Sequence, residues 1–529
     1  MRRTLWILTA VVVLGALALA WQAKTASGER SISLAQLRDK IEGGWAGQMI
    51  GVAYAEPTEF RYRNEIMPEE KLPDWSPDRV RRTLGQDDLY VEMTFAQVLD
   101  EKGLDATTED FGAMFRDARY PLWHANLAAR RALKRGVPAT LSGNPRYNAH
   151  ANDIDFQIEA DFIGLMAPGL PQASNDLAWR VGRVMNYGDG IYGGMFVACM
   201  YSAAFFENDP RRIVEAGLAC LPSASPYARV IRDVLDWSKQ YPADWIQVWN
   251  RVEQKWNGRE PCPDGALVPF NIDAKINGAY IAIGLLYGGG DFERTIKIAT
   301  RCGQDSDCNP SSAAGILGVV LGYSRIPDVW KSGIPAIADK QFNFTNYSFR
   351  TIVESTQKRA IELVRRNGGR LEGDVLRLRI QKPRPARLEV WDDYGTPVER
   401  VDVTDPRWSW KGDWLFNDTR SRGANTRKTN RNTSAAKGAE ASIYFEGTGA
   451  IVSGPYLPYG GTADVYLDGQ LHRTVDVYSD EKYDKGGEAV WHAFGLKPGK
   501  HTLRIVVRGE PYPGSAGADV AIEDLIVFR

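Results

Sequence analysis

The feature that most limits how this 529-residue chain can fold is a change of hydrophobic period near residue 367. Up to Arg366 the apolar residues recur every three or four positions, the spacing that gathers them on one side of an α-helix. Leu34-Leu37-Ile41-Trp45, Leu89-Met93-Ala96-Leu99, Ile276-Tyr280-Ile283-Leu286 and Ala313-Leu317-Val320-Leu321 are such stripes. Phe196-Met200-Ala203-Ala204 lies in a stretch rich in small residues, which predicts close helix packing. Asn367-Gly368-Gly369 then stops the helical pattern. Beyond it the apolar residues come in short or alternating runs, among them Val375-Leu376-Leu378-Ile380, Ile443-Tyr444-Phe445 and Leu503-Ile505-Val506-Val507. Turn sequences such as Leu467-Asp468-Gly469-Gln470 and Lys497-Pro498-Gly499-Lys500 separate them. Short strands with regular turns predict a sandwich of sheets. The expected fold class is therefore multidomain, α and β: an all-α domain over residues 33–366 and a β-sandwich over 370–529. Lys382-Pro383-Arg384-Pro385 lies near the joint, and Arg420 to Lys437 reads as an exposed polar loop.

The first twenty residues carry an address. Arg2 and Arg3 precede an apolar run from Leu5 to Ala20, and Ala18-Leu19-Ala20 offers a small-x-small cleavage site. This predicts a signal peptide over residues 1–20 and a periplasmic or secreted protein. An uncleaved N-terminal anchor is the alternative, and no other membrane contact is predicted. No cysteine follows the run, which argues against a lipoprotein. The net charge of −1 holds no basic surplus, so nucleic acid is not an expected partner. Five cysteines leave at least one thiol unpaired within the chain. Cys199 and Cys220 read as core residues of helices, and a local disulfide is conceivable between Cys302 and Cys308, which flank an acidic loop.

Two acidic motifs stand far apart in the sequence, each at the start of an apolar helix: Gly85-Gln86-Asp87-Asp88-Leu89 and Gly303-Gln304-Asp305-Ser306-Asp307-Cys308-Asn309. One such motif alone is more often a helix cap, because a carboxylate at a helix start accepts free amides and complements the dipole. Two in one helical domain point as much to a cation. Carboxylate oxygens are hard ligands and favour Mg²⁺, Mn²⁺ or Ca²⁺ over Zn²⁺.

The first helix reads Gly43-Gly44-Trp45-Ala46-Gly47-Gln48-Met49-Ile50-Gly51, followed by Val52 to Phe60 with Glu56-Pro57-Thr58-Glu59 inside it. These segments and the two acidic motifs, in this order, resemble the ADP-ribosylglycohydrolases over roughly residues 35–335. Ile326-Pro327-Asp328-Val329-Trp330 continues the likeness. The resemblance implies an all-α fold with two divalent ions, Mg²⁺ or Mn²⁺, held by Asp87, Asp88, Asp305 and Asp307. It implies that the ions grip vicinal hydroxyls of a furanose ring and orient a water, and that Glu59 acts in acid–base chemistry. Three positions depart from the family pattern. Val52 stands for an Asp, Gln86 for a Ser or Thr, and Cys308 for a Thr or Ser, and a thiol suits Mg²⁺ poorly. Whether both ions bind is thereby left open.

Further candidates lie between the motifs. Asp155 and Glu159 are four residues apart, a like-charge pair on one helix face. A solvated acidic face is the plain reading, and a substrate or outer metal shell the functional one. Asn186 to Gly194 is glycine-rich and reads as a loop approaching a ligand, with Asp189 and Tyr192 as substrate contacts; a simple interhelical turn is the alternative. The C-terminal part is similar to galactose-binding-like sandwiches of secreted glycosidases, in which Trp491, Tyr456, Tyr459 and Tyr478 would stack on sugars or else pack internally. The leading expectation is an exported metal-dependent hydrolase of a glycosidic or N-glycosidic bond, with a carbohydrate or ADP-ribosylated substrate. Export argues against reversal of intracellular ADP-ribosylation. An ADP-ribosyl hydrolase acting on an exported target is the alternative within the family. A non-catalytic glycan-binding protein with a degenerate metal site is the alternative outside it.

Overall fold

The computed structural model describes residues 28–391, 393–419 and 430–529. The predicted signal segment and residues 420–429 of the polar loop lie outside the described residues; the rest of that loop is not exposed throughout, because Arg431 to Ser434 are buried and Asn432–Ser434 form a strand paired with Val520–Ile522. Strand β1 (Glu29–Ser33) leads into helix α1 (Leu34–Ala55), whose start is fixed by a capping box between Ser33 and Gln36. The other helices that shape the site are α2 (Asp87–Lys102), α3 (His124–Lys134), α4 (Asp155–Ile158), α5 (Asp189–Ala204), α6 (Pro226–Gln240), α7 (Ala274–Gly288), α8 (Cys308–Leu321) and α9 (Phe349–Arg366). Among the described residues no helix is long and apolar enough to cross a membrane.

Helices α1 and α8 form the central pair. Gly43, Gly47 and Gly51 repeat every four residues and therefore share one face of α1. A Cβ on Gly47 would stand 2.2 Å from the Ala314 carbonyl oxygen, and one on Gly43 would stand 2.2 Å from that of Gly318. The two backbones are in contact, with no room for a methyl group. This contact sets the loop after α1, with Glu59, beside the acidic loop that begins α8. A Gly47→Ala substitution should lower stability by at least about 1–3 kcal/mol through overpacking. Chemical denaturation would measure it, and an unchanged midpoint would refute the contact.

The glycine-rich segment after Asn186 is not a loop throughout. Asp189 to Gly194 form the first turns of α5. A fully buried helix tolerates these glycines because they admit close neighbours: a Cβ on Gly190 would meet the Ala151 carbonyl at 2.5 Å, and one on Gly194 the Phe156 ring at 2.4 Å. The cysteine expectation is also corrected. Cys199 and Cys220 form a disulfide, whereas Cys302 and Cys308 are free and buried. Helical periodicity places Cys199 in the core but does not reveal that the chain returns to it 21 residues later.

After α9, strands β2 (Arg370–Glu372) and β3 (Val375–Arg379) join β1 in a small antiparallel sheet of order β1-β3-β2. These strands thus close the helical body, and the sandwich proper begins at β4 (Pro397–Asp402). It continues with β5 (Ser409–Lys411), β6 (Asn432–Ser434), β7 (Glu440–Gly447), β8 (Gly449–Tyr456), β9 (Gly461–Leu467), β10 (Gln470–Asp476), β11 (Lys485–Ala493), β12 (Gly499–Pro511), β13 (Val520–Ile522) and β14 (Asp524–Phe528). A five-stranded sheet of order β10-β9-β12-β7-β5 faces a four-stranded sheet of order β11-β8-β14-β4. Alternation along β12 and β7 sends Leu503, Ile505, Val507, Ala441, Ile443 and Phe445 into the core between them.

The sandwich is bound to the helical body by charge. Helix α3 presents Arg130, Arg131 and Lys134, with Arg135 just after it, and each pairs with a carboxylate between β10 and β11 or at the end of β10: Glu481, Asp476, Asp480 and Asp476 in turn. The Arg131 guanidinium also lies 3.1 Å above the centre of the Tyr456 ring. Of the two readings of the sandwich aromatics, internal packing is the one seen. Tyr456 and Trp491 are buried, Tyr478 stacks on Tyr512, and the Tyr459 hydroxyl bonds Asp484.

Candidate functional site

The loop after α1 and the loop before α8 are joined by their backbones. Phe60 N–H donates to the Gln304 carbonyl (2.9 Å), and Gln304 N–H donates to that of Tyr62 (2.8 Å). Gly303 has φ +80°, and a Cβ there would stand 2.5 Å from the Tyr62 carbonyl, so a side chain at this position would break the pairing. The Thr58 and Ser306 hydroxyls bond at 2.8 Å. Together these contacts hold Glu59 near enough to Asp305 for its charge to act on it.

The two acidic motifs meet. Cys308 Sγ lies 3.0 Å from Asp88 Oδ1, so the first turn of α8 faces the first turn of α2. Ligand atoms of Asp305, Asp307 and Cys308 lie within 4.8 Å of one another. Asp88, Asp305 and Asp307 are buried, and Asp87 is half-buried. Burial and mutual repulsion push Asp88 and Asp307 well above the usual carboxylate range, and burial lifts Asp305 to about 6. Glu59 is itself exposed, but the surrounding protein mass, followed by the charges of Asp305, Asp87 and Glu56, raises it to about 8. Asp88 Oδ2 and Asp305 Oδ1 are buried without a hydrogen-bond partner. Orphaned, mutually repelling hard oxygens fit a divalent cation, which would neutralise them. The thiol of Cys308 is the one donor ill-suited to Mg²⁺. Val52 is fully buried in α1 and offers no oxygen, while Gln86 sits half-buried just before α2.

The remaining sequence candidates are engaged in holding the scaffold. Asp155 accepts the backbone amides of Ala125 (3.2 Å) and Asn126 (3.0 Å), and so caps the start of α3. Glu159, just past the single-turn helix α4, accepts Asn126 Nδ2 at 2.5 Å. Its other oxygen has no partner, and the charges of Asp87 and Asp88 reach it. Asp189 accepts the Tyr227 amide at the start of α6 (3.1 Å). The Tyr192 hydroxyl donates to the Arg387 carbonyl (2.7 Å) and accepts the Glu389 amide (2.6 Å), fastening the linker.

Burial holds Asp189 up at about 7. A carboxyl whose folded pKa lies above its unfolded value stabilises fully below the unfolded value, near 4, and that contribution is lost as pH rises through 7. Asp189→Asn keeps an acceptor for Tyr227 and removes the titration. Its stability should therefore fall less steeply between pH 4 and 7, by up to about 1.4 kcal/mol per pH unit. Parallel urea melts of the two proteins would read the slope, and identical slopes would refute the assignment.

Several groups at the site had no sequence signal. Lys485 of β11 lies 3.9 Å above the Trp123 ring, and its charge reaches Asp87. His124, His150, Asp153 and Cys262 form a second group of potential ligands, also close together within 4.8 Å. Their spacings of 26, 3 and 109 residues match no compact ligand motif.

The helical body that carries the acidic cluster is that of a hydrolase family. The chain belongs to the ADP-ribosylglycohydrolase family, which matches residues 33–366. Over 109 residues it is 31% identical to the A type blood alpha-D-galactosamine galactosaminidase of Flavonifractor plautii, a stretch that covers 20% of this chain and 9% of that protein. The chain thus spans less than a tenth of that relative's length. Among solved structures, an ADP-ribosylglycohydrolase-related protein complex aligns at TM-score 0.38 and 17% identity, over 62% of this chain and 98% of that one. The CBM36-1 domain of a multidomain xylanase from the hindgut metagenome of Trinervitermes trinervoides aligns at TM-score 0.17 and 13% identity, over 24% of this chain and 94% of that one.

Proposed function

We propose that this protein is an exported, metal-dependent glycosidase that cleaves a glycosidic or N-glycosidic bond of a glycan or glycoconjugate. The observation that carries the reading is the meeting of Glu59 with Asp87, Asp88, Asp305 and Asp307 around buried oxygens that lack partners. These four aspartates would hold the ion, and a bound divalent cation would supply Lewis-acid polarisation and charge neutralisation. Glu59 would hold or accept the proton: the surrounding protein mass and neighbouring carboxylates raise it, and a bound cation would bring it back down. Lys485, above Trp123, adds a positive charge on the sandwich side of the site. The galactosaminidase likeness, though it covers 20% of the chain, favours amino-sugar glycosides as first substrates. The Cys199–Cys220 disulfide suits an oxidising compartment, in keeping with export. Among the described residues, a cavity of about 250 Å³ beside Trp408, Trp410 and Phe416 is a surface that favours carbohydrate contact by the sandwich.

The test is a screen of aryl glycosides, including α-galactosaminides, alongside ADP-ribosylated protein. Turnover of a glycoside should vanish after EDTA treatment and return with Mn²⁺ or Mg²⁺. Release of ADP-ribose alone would establish the alternative within the family. Glycan binding without turnover under any metal condition would establish the non-catalytic reading.

A further inference from the structure

The second ligand group lies where three loops and the sandwich converge. His124 begins α3 with φ 43°, a conformation that strains a non-glycine residue and recurs at functional sites. His150 and Asp153 precede α4, and the Asp153 segment is fastened to the 271–273 segment by the Ile154 N–H···O Ile272 bond (2.9 Å). Cys262 sits on a loop clamped from the sandwich, where Arg400 donates to the Pro263 (2.7 Å) and Ala266 (3.0 Å) carbonyls. Gly487 presses on the same loop; a Cβ there would meet Asp264 at 2.6 Å. The neighbouring Glu488 thereby reaches His150.

The donor atoms face one point. His150 Nδ1 lies 2.8 Å from Asp153 Oδ2 and 3.6 Å from Cys262 Sγ, and His124 Nδ1 lies 3.8 Å from the same Asp153 oxygen. A tetrahedral zinc site with ligand bonds of about 2.0–2.3 Å has ligand–ligand edges of about 3.3–3.8 Å. Two of the three separations fall in that range, and the third reaches it by opening about half an ångström. A proton does not account for the group as well. His150 Nδ1–H and the Cys262 thiol can each donate to Asp153, but that leaves the His124 ring crowding the same carboxylate oxygen at 3.8 Å, beyond hydrogen-bond reach. His150 Nε2 and Glu488 Oε2 are both buried and lack a well-formed hydrogen bond, although they stand 3.3 Å apart. That is the placement of the carboxylate that orients a metal-bound histidine through its far nitrogen. Ile154, Ile158, Phe270 and Ile272 wall the group with hydrocarbon.

We propose that His124, His150, Asp153 and Cys262 bind one zinc-class divalent ion, and that Glu488 of the sandwich holds His150 in its ligating orientation, so that the ion couples the two domains. Two imidazoles and a thiolate select zinc, or cobalt in its place, over Mg²⁺ or Mn²⁺. The site shares no ligand with the acidic cluster, although Cys308 packs in the same buried hydrophobic group, and it does not depend on the function proposed above.

The full chain, reconstituted with Zn²⁺ and dialysed against Mg²⁺-containing buffer, should retain about one zinc per chain by elemental analysis. Its Co²⁺ form should show a thiolate-to-cobalt charge-transfer band and strong tetrahedral visible bands. Cys262→Ala should abolish that band, and Cys308→Ala, in the acidic cluster, should leave it. Glu488→Gln, which keeps the side chain's size, should weaken zinc about 10–100-fold in competition with a chelator. No retained zinc and no charge-transfer band in the unaltered chain would overturn the site. So would a band that survives Cys262→Ala or disappears with Cys308→Ala. Unchanged zinc affinity in Glu488→Gln would overturn the coupling between domains.

Discussion

Glu59→Gln should reduce turnover by about 10²–10⁴-fold on whichever glycoside or ADP-ribosyl substrate proves active, the range usual for loss of a positioned acid or base. The substitution preserves the side chain's size and removes its proton. The fold should survive it, because Glu59 is exposed and its loop is held by the backbone bonds of Phe60 and Gln304 and by the Thr58–Ser306 pair. Metal binding should also persist if the four aspartates suffice as ligands. Calorimetric Mn²⁺ titration and steady-state kinetics on one preparation would separate the two effects. Near-full turnover in Glu59→Gln would remove Glu59 from the chemistry and leave Glu159, with its unpartnered oxygen, as the next carboxylate to test.

Asp476→Ala should destabilise the full chain by about 3 kcal/mol, the lower end of what breaking a buried ion pair causes. Asp476 accepts from both Arg131 and Arg135, and Arg131 is buried under the sandwich. Removing the carboxylate leaves two guanidinium groups facing a surface from which water is largely excluded. Asp480→Ala is the internal control. Its pair with Lys134 is about one-third exposed on each side, so its loss should cost less than about 1 kcal/mol. Guanidinium denaturation of the three proteins would decide the matter. Equal effects of the two substitutions would mean that the interface is wetter than its burial indicates.

The helical stripes and the switch to alternation near residue 367 were legible because burial imposes a period of 3.6 on helices and 2 on strands. The acidic motifs were legible as helix starts, and their order carried the family resemblance. What failed was local reading wherever the deciding partner was distant in sequence. Gly190, Gly193 and Gly194 read as a loop, yet they lie in α5, where they let Ala151, Phe156 and Gln157 approach. Cys199 read as a core thiol, and its disulfide partner follows 21 residues later. The solvated acidic face weighed for Asp155 and Glu159 does not occur: both are buried, and the Asp155 carboxylate takes the amides that begin α3.

By itself the sequence determined the fold class of each half and the two acidic motifs that begin α2 and α8, since these depend on local period and side-chain chemistry. Only the tertiary structure decided which groups meet. The glycine face of α1 against α8 brings Glu59 to Asp305, and the charged contact between α3 and the β10–β11 region carries Lys485 and Glu488 toward the helical body. Convergence of this kind depends on backbone contacts between segments tens to hundreds of residues apart, and no spacing along the chain encodes them.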